Sequence, residues 1–271
     1  MGLFAQKSAS SLLRGVPFEY DWRLDGERAT FCVDLSLFEL SPQEREGYPV
    51  LAYVGCLPLE EGRALSPREK KAGTAFIRQC KKKLSLLTAG YIETDSTLQL
   101  YLYLPAAEEY EALKQLAANE KGFTCRVGGR SEPQWESYFS VLYPDEAKLQ
   151  TVRNGEIINE LYKNGDSEEP RRLNLHMGFQ TDEKRSAFSD AALKAGFALG
   201  ESVERAEGMV EPTAAASESE SDQTPFRLDI HRICALKKWD VDAVIVQAVR
   251  LAEEFGGRLV YWDCPIVPRR S

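Results

Sequence analysis

The sequence predicts an α+β protein of two ferredoxin-like domains, each an antiparallel sheet with helices on one face. Three observations predict it. The chain has 271 residues, a length that suits two domains better than one. Strand-like alternation and helix-like periodicity follow one another in the order β-α-β-β-α-β over residues 50–127. The same order recurs over residues 172–262, with an echo in the Gly122-Phe123 and Gly196-Phe197 pairs that open a strand in each half. The boundary is expected near Tyr143-Pro144-Asp145, giving domains 1–145 and 146–271.

In the first half, Phe31, Val33, Leu35 and Leu37 alternate with polar residues and predict a strand over Thr30–Phe38. The apolar run Val50–Leu57 reads as an interior strand. Ser66, Pro67 and Glu69 form a capping-box signature ahead of Phe76, Ile77, Cys80, Leu84 and Leu87 at helical spacing, and Gly90 is expected to stop that helix. Lys81-Lys82-Lys83 suits the helix C-terminus, where cations complement the dipole. Tyr91–Glu93 and Thr97–Leu104 make a hairpin, with Tyr101 and Tyr103 on one face and Leu98, Leu100, Leu102 and Leu104 on the other. A helix with Tyr110, Leu113, Leu116 and Ala117 on one stripe leads to a strand over Phe123–Val127.

In the second half, a short helix over Glu156–Tyr162 ends at Asn164-Gly165-Asp166. Leu173, Leu175, Met177 and Phe179 share one face of a strand over Arg172–Gln180. Asp182 caps a helix carrying Phe188, Ala191, Ala192 and Ala195, and a strand opens at Gly196-Phe197. The acidic, Ser/Ala-rich tract Glu204–Gln223 is expected to be disordered. A strand over Phe226–Ile233 precedes a helix with Val241, Val244, Ile245, Ala248, Leu251, Ala252 and Phe255 at i, i+3, i+4 spacing. Gly256-Gly257 ends it, and Leu259–Trp262 is the last strand.

Net charge is −8, and the segment Glu204–Pro225 alone carries −5 of it. The remainder of the second half is therefore neutral. Neither half has the basic balance of a nucleic-acid binder. No apolar run approaches the roughly 20 residues of a membrane-spanning helix, and the N-terminus lacks a signal-peptide pattern. A cytoplasmic protein is expected. Its six widely spaced cysteines then read as reduced thiols packed as small hydrophobes.

No nucleophile elbow, phosphate loop, dinucleotide fingerprint or zinc-helix motif is present in the sequence. Gly128-Gly129 and Gly256-Gly257 read as turns that end elements. The two histidines, His176 and His231, fall on predicted strands, each two residues from a polar partner, Asn174 and Asp229 respectively. A two-histidine, one-carboxylate metal cluster is conceivable if the strands are neighbours. Two polar residues on the solvent face of a sheet is the preferred alternative. Trp135, Trp239 and Trp262 each sit at an element edge, either as lids on a core or, with Asp263, as partner-binding anchors. Tyr101 and Tyr103 share a sheet face, as base-stacking aromatics do, without the basic strand pattern that RNA recognition needs. No cofactor or metal is expected.

Several stretches of the second half carry a resemblance: Asn154-Gly155-Glu156-Ile157-Ile158, Gly165-Asp166, Pro170-Arg171-Arg172-Leu173, Phe179, Gly196-Phe197, Asp240-Val241-Asp242, Leu251–Gly257 and Trp262-Asp263. In order and spacing they resemble the ribonuclease E inhibitor B (RraB) family over about residues 146–264. Where that family carries a histidine four residues before the strand phenylalanine this chain has Leu175, so no family role passes to His176. The long acidic insert also departs from the family's short loop. The first half resembles a domain of unknown function often fused to it, through Phe18–Trp22, Val33-Asp34-Leu35, the helix after Pro67, Pro133-Gln134-Trp135, Tyr138 and Leu142-Tyr143-Pro144. The resemblance implies a protein that binds and modulates a ribonuclease without chemistry of its own. The alternatives are an immunity or other interaction protein with a different partner, and, third, a metal-dependent enzyme using His176 and His231.

Overall fold

The computed structural model describes residues 15–200 and 224–269. The acidic tract Glu204–Gln223 lies outside the described residues. Two compact units divide the chain, Met1–Asp145 and Glu146–Ser271.

Unit 1 opens with a hairpin of β1 (Pro17–Leu24) and β2 (Glu27–Asp34). Its two-residue turn, Asp25-Gly26, has both φ angles positive, the twist-matched geometry of tight hairpins. The strand expected over Thr30–Phe38 therefore begins earlier and ends at Asp34. There the Asp34 carboxylate accepts from the backbone N–H groups of Gly15, Val16 and Ser36 and folds Leu35–Glu39 into a 3-10 turn. Helix α1 (Pro42–Glu46) and strand β3 (Val50–Leu57) follow.

Helix α2 (Pro67–Lys83) starts on the expected Ser66–Glu69 capping box and ends on Lys81-Lys82-Lys83. Gly90 does not stop this helix. It lies inside β4 (Leu87–Glu93), where a Cβ would collide with the Cys32 carbonyl of β2. Then come β5 (Leu98–Leu104), α3 (Ala107–Ala118) and β6 (Thr124–Ser131). Gly128 and Gly129 are strand residues rather than a turn, paired with Tyr53 and Ala52. A side chain at Gly129 would meet the Tyr110 ring at 2.6 Å and the Leu51 carbonyl at 2.8 Å.

The sheet has six antiparallel strands in the order β1-β2-β4-β5-β3-β6, two more than the four expected. Both faces are covered. Leu98, Leu100, Leu102 and Leu104 pack with Phe76, Ile77 and Cys80 of α2 and Leu113 of α3. On the other face Tyr103 stacks on Trp135, centroids 4.0 Å apart and planes 6° from parallel. A π-helical turn, Ser137–Leu142, completes that layer. Tyr138 Oη donates to the Asp34 carbonyl at 2.8 Å and Tyr20 Oη to the Leu142 carbonyl at 2.7 Å. Glu132 is buried beneath the layer, accepting from Tyr103 Oη, the Ser137 N–H and hydroxyl, and Arg130.

Unit 2 opens with α4 (Glu146–Lys163), a helix of 18 residues in place of the short one expected over Glu156–Tyr162. Gly155 lies inside it, where an added Cβ would come within 3.2 Å of the Lys238 side chain. Strand β7 (Arg171–Phe179), α5 (Asp182–Lys194), the two-residue β8 (Ala198–Leu199), β9 (Phe226–Cys234), α6 (Lys238–Glu254) and β10 (Gly257–Asp263) complete the unit. The antiparallel sheet runs β10-β7-β9-β8. In both units the first strand of the β-α-β-β-α-β series lies between the third and the fourth. Leu173, Leu175, Met177 and Phe179 are fully buried, with Phe188 of α5 and Val241, Ile245, Ala248 and Ala252 of α6. Among the described residues no helix is long and apolar enough to cross a membrane.

Candidate functional site

Many residues that carry the resemblance in unit 2 are spent on its interior. Asn154 of α4 is fully buried, accepting at Oδ1 from Trp262 Nε1 at 2.8 Å and Gln150 Nε2 at 2.9 Å. Its Nδ2 donates to Asp242 at 2.8 Å, and Asp242 accepts in turn from Lys238 Nζ at 2.8 Å. Asp166 and Arg171 form a buried ion pair at 2.6 Å, and the Asp166 carboxylate also accepts from the backbone N–H groups of Ser167 and Val267. These networks join helix to sheet and pin the C-terminal segment. The large majority of buried polar groups in folded proteins are paired in this way.

The face of the unit 2 sheet turned away from the helices is different. Strand alternation puts Arg172, Asn174 and His176 of β7 on it, and the register sets them opposite Ile233, His231 and Asp229 of β9. On the other side of β7, Tyr261 stands opposite His176 and Asp263 opposite Asn174. His176 is the centre: Nδ1 lies 2.8 Å from Asp229 Oδ1 and Nε2 lies 2.8 Å from Asp263 Oδ2. Its ring stacks on Tyr261 at 4.0 Å. Ionised carboxylates only accept, so an imidazole bonded to two of them carries a proton on each nitrogen and a positive charge. Burial works against that charge, but the Asp263 and Asp229 carboxylates outweigh it and raise the His176 pKa. Burial pushes the Asp263 carboxyl up, while the His176 and Asn174 hydrogen bonds pull it further the other way, to a lowered pKa. His231 moves in the opposite sense to His176, lowered by burial and by Arg172.

The two histidines thus share one face of neighbouring strands, diagonally placed, as the metal reading required. Both nitrogens of His176 are nevertheless engaged by carboxylates, and the residue directly opposite His231 is Asn174. Among the described residues no group of three or more His, Cys, Asp and Glu side chains has metal-holding geometry.

Of the four anchors named from the sequence, Asp263 stands on this face. Trp262, next to it, points the other way and is buried against Asn154. Trp135 is fully buried in unit 1, its Nε1 donating to the Tyr48 carbonyl at 3.1 Å. Both are core lids, because strand alternation and the stack on Tyr103 turn their rings inward. Trp239 is half-buried at the start of α6, with Lys238 Nζ 5.3 Å from its ring. Tyr101 and Tyr103 are also buried, which removes the base-stacking reading. Sequence reasoning missed Arg172, Arg227, Arg258 and Tyr261 as members of the unit 2 face. The polar alternation of residues 172, 174 and 176 between buried apolar positions was the signal that could have found the first.

Unit 1 also has a cleft of about 850 Å³ beside the Leu57–Ala64 loop and the Asp95–Thr97 turn. One of its cations, Arg63, is already paired to Glu69.

No curated protein matches the chain. Residues 19–143, within unit 1, match the model of a family of unknown function (DUF695). Residues 151–264, which hold β7, β8, β9 and β10 with α5 and α6, match the family described as regulator of ribonuclease activity B.

Proposed function

We propose that the protein is a non-catalytic regulatory binding protein whose second unit acts on a ribonuclease through protein–protein contact. The observation that carries this reading is the family match across the unit 2 sheet. The polar face supports it. His176 is locked between two carboxylates, an arrangement that holds a fixed charge in place, as a recognition surface does. The Trp262–Asn154–Asp242 network behind the sheet keeps that surface rigid, so little ordering is left to offset on binding.

The test is cleavage of a fluorogenic RNA by purified ribonuclease E with increasing amounts of the full chain. A saturable fall in rate, with binding seen by calorimetry and no cleavage by the chain alone, is the expected result. An unchanged rate together with no heat of binding would falsify the proposal.

A further inference from the structure

We infer that Cys56 and Cys125 are a redox pair that closes reversibly into a disulfide and latches the edge strand β6 to β3 in unit 1. This stands apart from the binding role proposed above and does not depend on it.

Register is the first argument. Cys56 of β3 stands directly opposite Cys125 of β6, so both side chains leave the sheet on the same face. Just beyond the ladder's first pair, the Glu132 N–H donates to the Pro49 carbonyl at 2.7 Å, which makes Pro49 and Glu132 a hydrogen-bonded pair. Bonded and non-bonded pairs alternate along an antiparallel ladder. The register runs unbroken from Val50 to Leu57, so Cys56 and Cys125 fall on a non-bonded pair. The Cα atoms of such a pair lie about 4.5 Å apart, with the side chains close together. That is within the roughly 4.4–6.8 Å that disulfides span, near the short end, where the bond is more easily reduced. Such a bond suits a switch better than a permanent staple.

The setting of the two thiols is the second argument. Cys56 is fully buried, and a Cβ added at Gly73 of α2 would lie 2.8 Å from its Sγ. No external reagent reaches it. Cys125 is half-buried on the edge strand and packs against the same core. Cys80 of α2 belongs to that core too, but among the described residues no group of three or more such ligands has metal-holding geometry. Burial pushes the Cys125 thiol up to about 11, the Cys80 thiol up to about 12 and the Cys56 thiol further still. Cys125 is therefore the point of entry. Exchange there is slow, because the thiolate is the nucleophile, so the pair answers a sustained oxidant rather than a brief one.

The oxidant is a small disulfide. The Cys125 thiolate attacks one of its sulfurs and expels a thiolate, which takes up the proton that Cys125 gave. Cys56 then attacks Cys125 Sγ, forms the S–S bond and expels the second thiolate, which takes up the Cys56 proton. The two protein thiols lose two electrons and two protons, and the small disulfide becomes two thiols. Cys56 never carries the external group itself.

The experiment incubates the full chain for hours with excess oxidised glutathione at pH 8, then quenches with acid, alkylates and maps peptides without reduction. The wild type is expected to lose two thiols and to yield a peptide joined through Cys56 and Cys125, which a dithiol reductant reverses. Cys56→Ala should leave glutathione on Cys125 with no joined peptide, and Cys80→Ala should form the joined peptide as the wild type does. Amide exchange over Thr124–Ser131 should be about tenfold slower in the oxidised wild type than in the reduced. Glutathione left on Cys125 of the wild type, a Cys80–Cys125 link, no reaction at all, or a link that forms only in denaturant overturns the pair. Equal amide exchange in the two forms overturns the latch.

Discussion

Trp262 donates its indole N–H to Asn154 Oδ1 at 2.8 Å, across 108 residues of chain, and so fastens the last strand of unit 2 to its first helix. Asn154→Leu leaves the Trp262 N–H, the Gln150 amide and an Asp242 oxygen without that partner inside a closed core. Unsatisfied buried groups cost about 1–3 kcal/mol each, so a loss of about 3 kcal/mol in unfolding free energy is expected. Urea denaturation followed by tryptophan fluorescence measures it. Trp262→Phe removes a single donor and should cost less than half as much.

The Asp166–Arg171 pair makes a second stability prediction. Both side chains are buried and Asp166 also holds two backbone N–H groups. Arg171→Met strands a carboxylate in the interior and should destabilise by about 3–5 kcal/mol. The double change with Asp166→Asn should recover part of that loss, because the amide oxygen still accepts from the backbone and no unpaired charge remains. A thermal melt of the three variants shows the order.

Protonation of the His176 array gives a pH prediction. The raised His176 pKa means that the fold favours the imidazolium. That contribution is complete below the ordinary value of 6.5 and is lost as pH rises through the raised value. The lowered Asp263 pKa means that the fold favours the carboxylate. Its contribution is complete above the ordinary value of 3.8 and is lost as pH falls through the lowered value. The array therefore stabilises unit 2 most between these limits. His231, with a lowered pKa, works the other way and takes stability from the fold as pH drops below 6.5. Melting temperature measured from pH 3 to 9 should show a shallow acid-side maximum in His231→Gln, and His176→Gln should flatten it.

Thiol chemistry is the fourth prediction. All six cysteines are free. Cys32, Cys56 and Cys80 are buried, and burial pushes the Cys32 thiol up to about 11 and the Cys80 thiol to about 12. The thiolate is the reactive form. A chromogenic disulfide reagent at pH 8 should leave these three unmodified in native protein and titrate all six in denaturant.

Much of the fold was legible because it depends on local rules. The Ser66–Glu69 cap, the leucine face of residues 98–104 and the apolar face of residues 173–179 each follow from neighbours in sequence. Asp25-Gly26 carried an equally local hairpin signal between two alternating runs, and a strand read as Thr30–Phe38 overlooks it. The alternation continues past Asp34 only because Leu37 is buried from a 3-10 turn instead of a strand. Gly90 and Gly129 illustrate the other limit. A glycine that admits a neighbouring backbone or ring looks, in one dimension, like a glycine that ends a helix. The candidate site was half legible. Alternation paired Asn174 with His176 and Asp229 with His231, but the register that puts His176 between Asp229 and Asp263 is a tertiary fact. Trp135 and Trp262 carried two readings in the sequence, lid and anchor, and both are buried, since large aromatics fill cores as well as they anchor interfaces.

Strand β8 is only two residues long and pairs with two residues of β9. Ala198 pairs with His231 and Leu199 with Ile230, and the Gly200 N–H donates to the Asp229 carbonyl. An edge held by so few pairs opens at a lower free energy than the nine-pair ladder of β7 with β9 at the middle of the same sheet. Unit 2 therefore comes undone first along β8, while the strand that carries His176 stays closed until the sheet as a whole gives way.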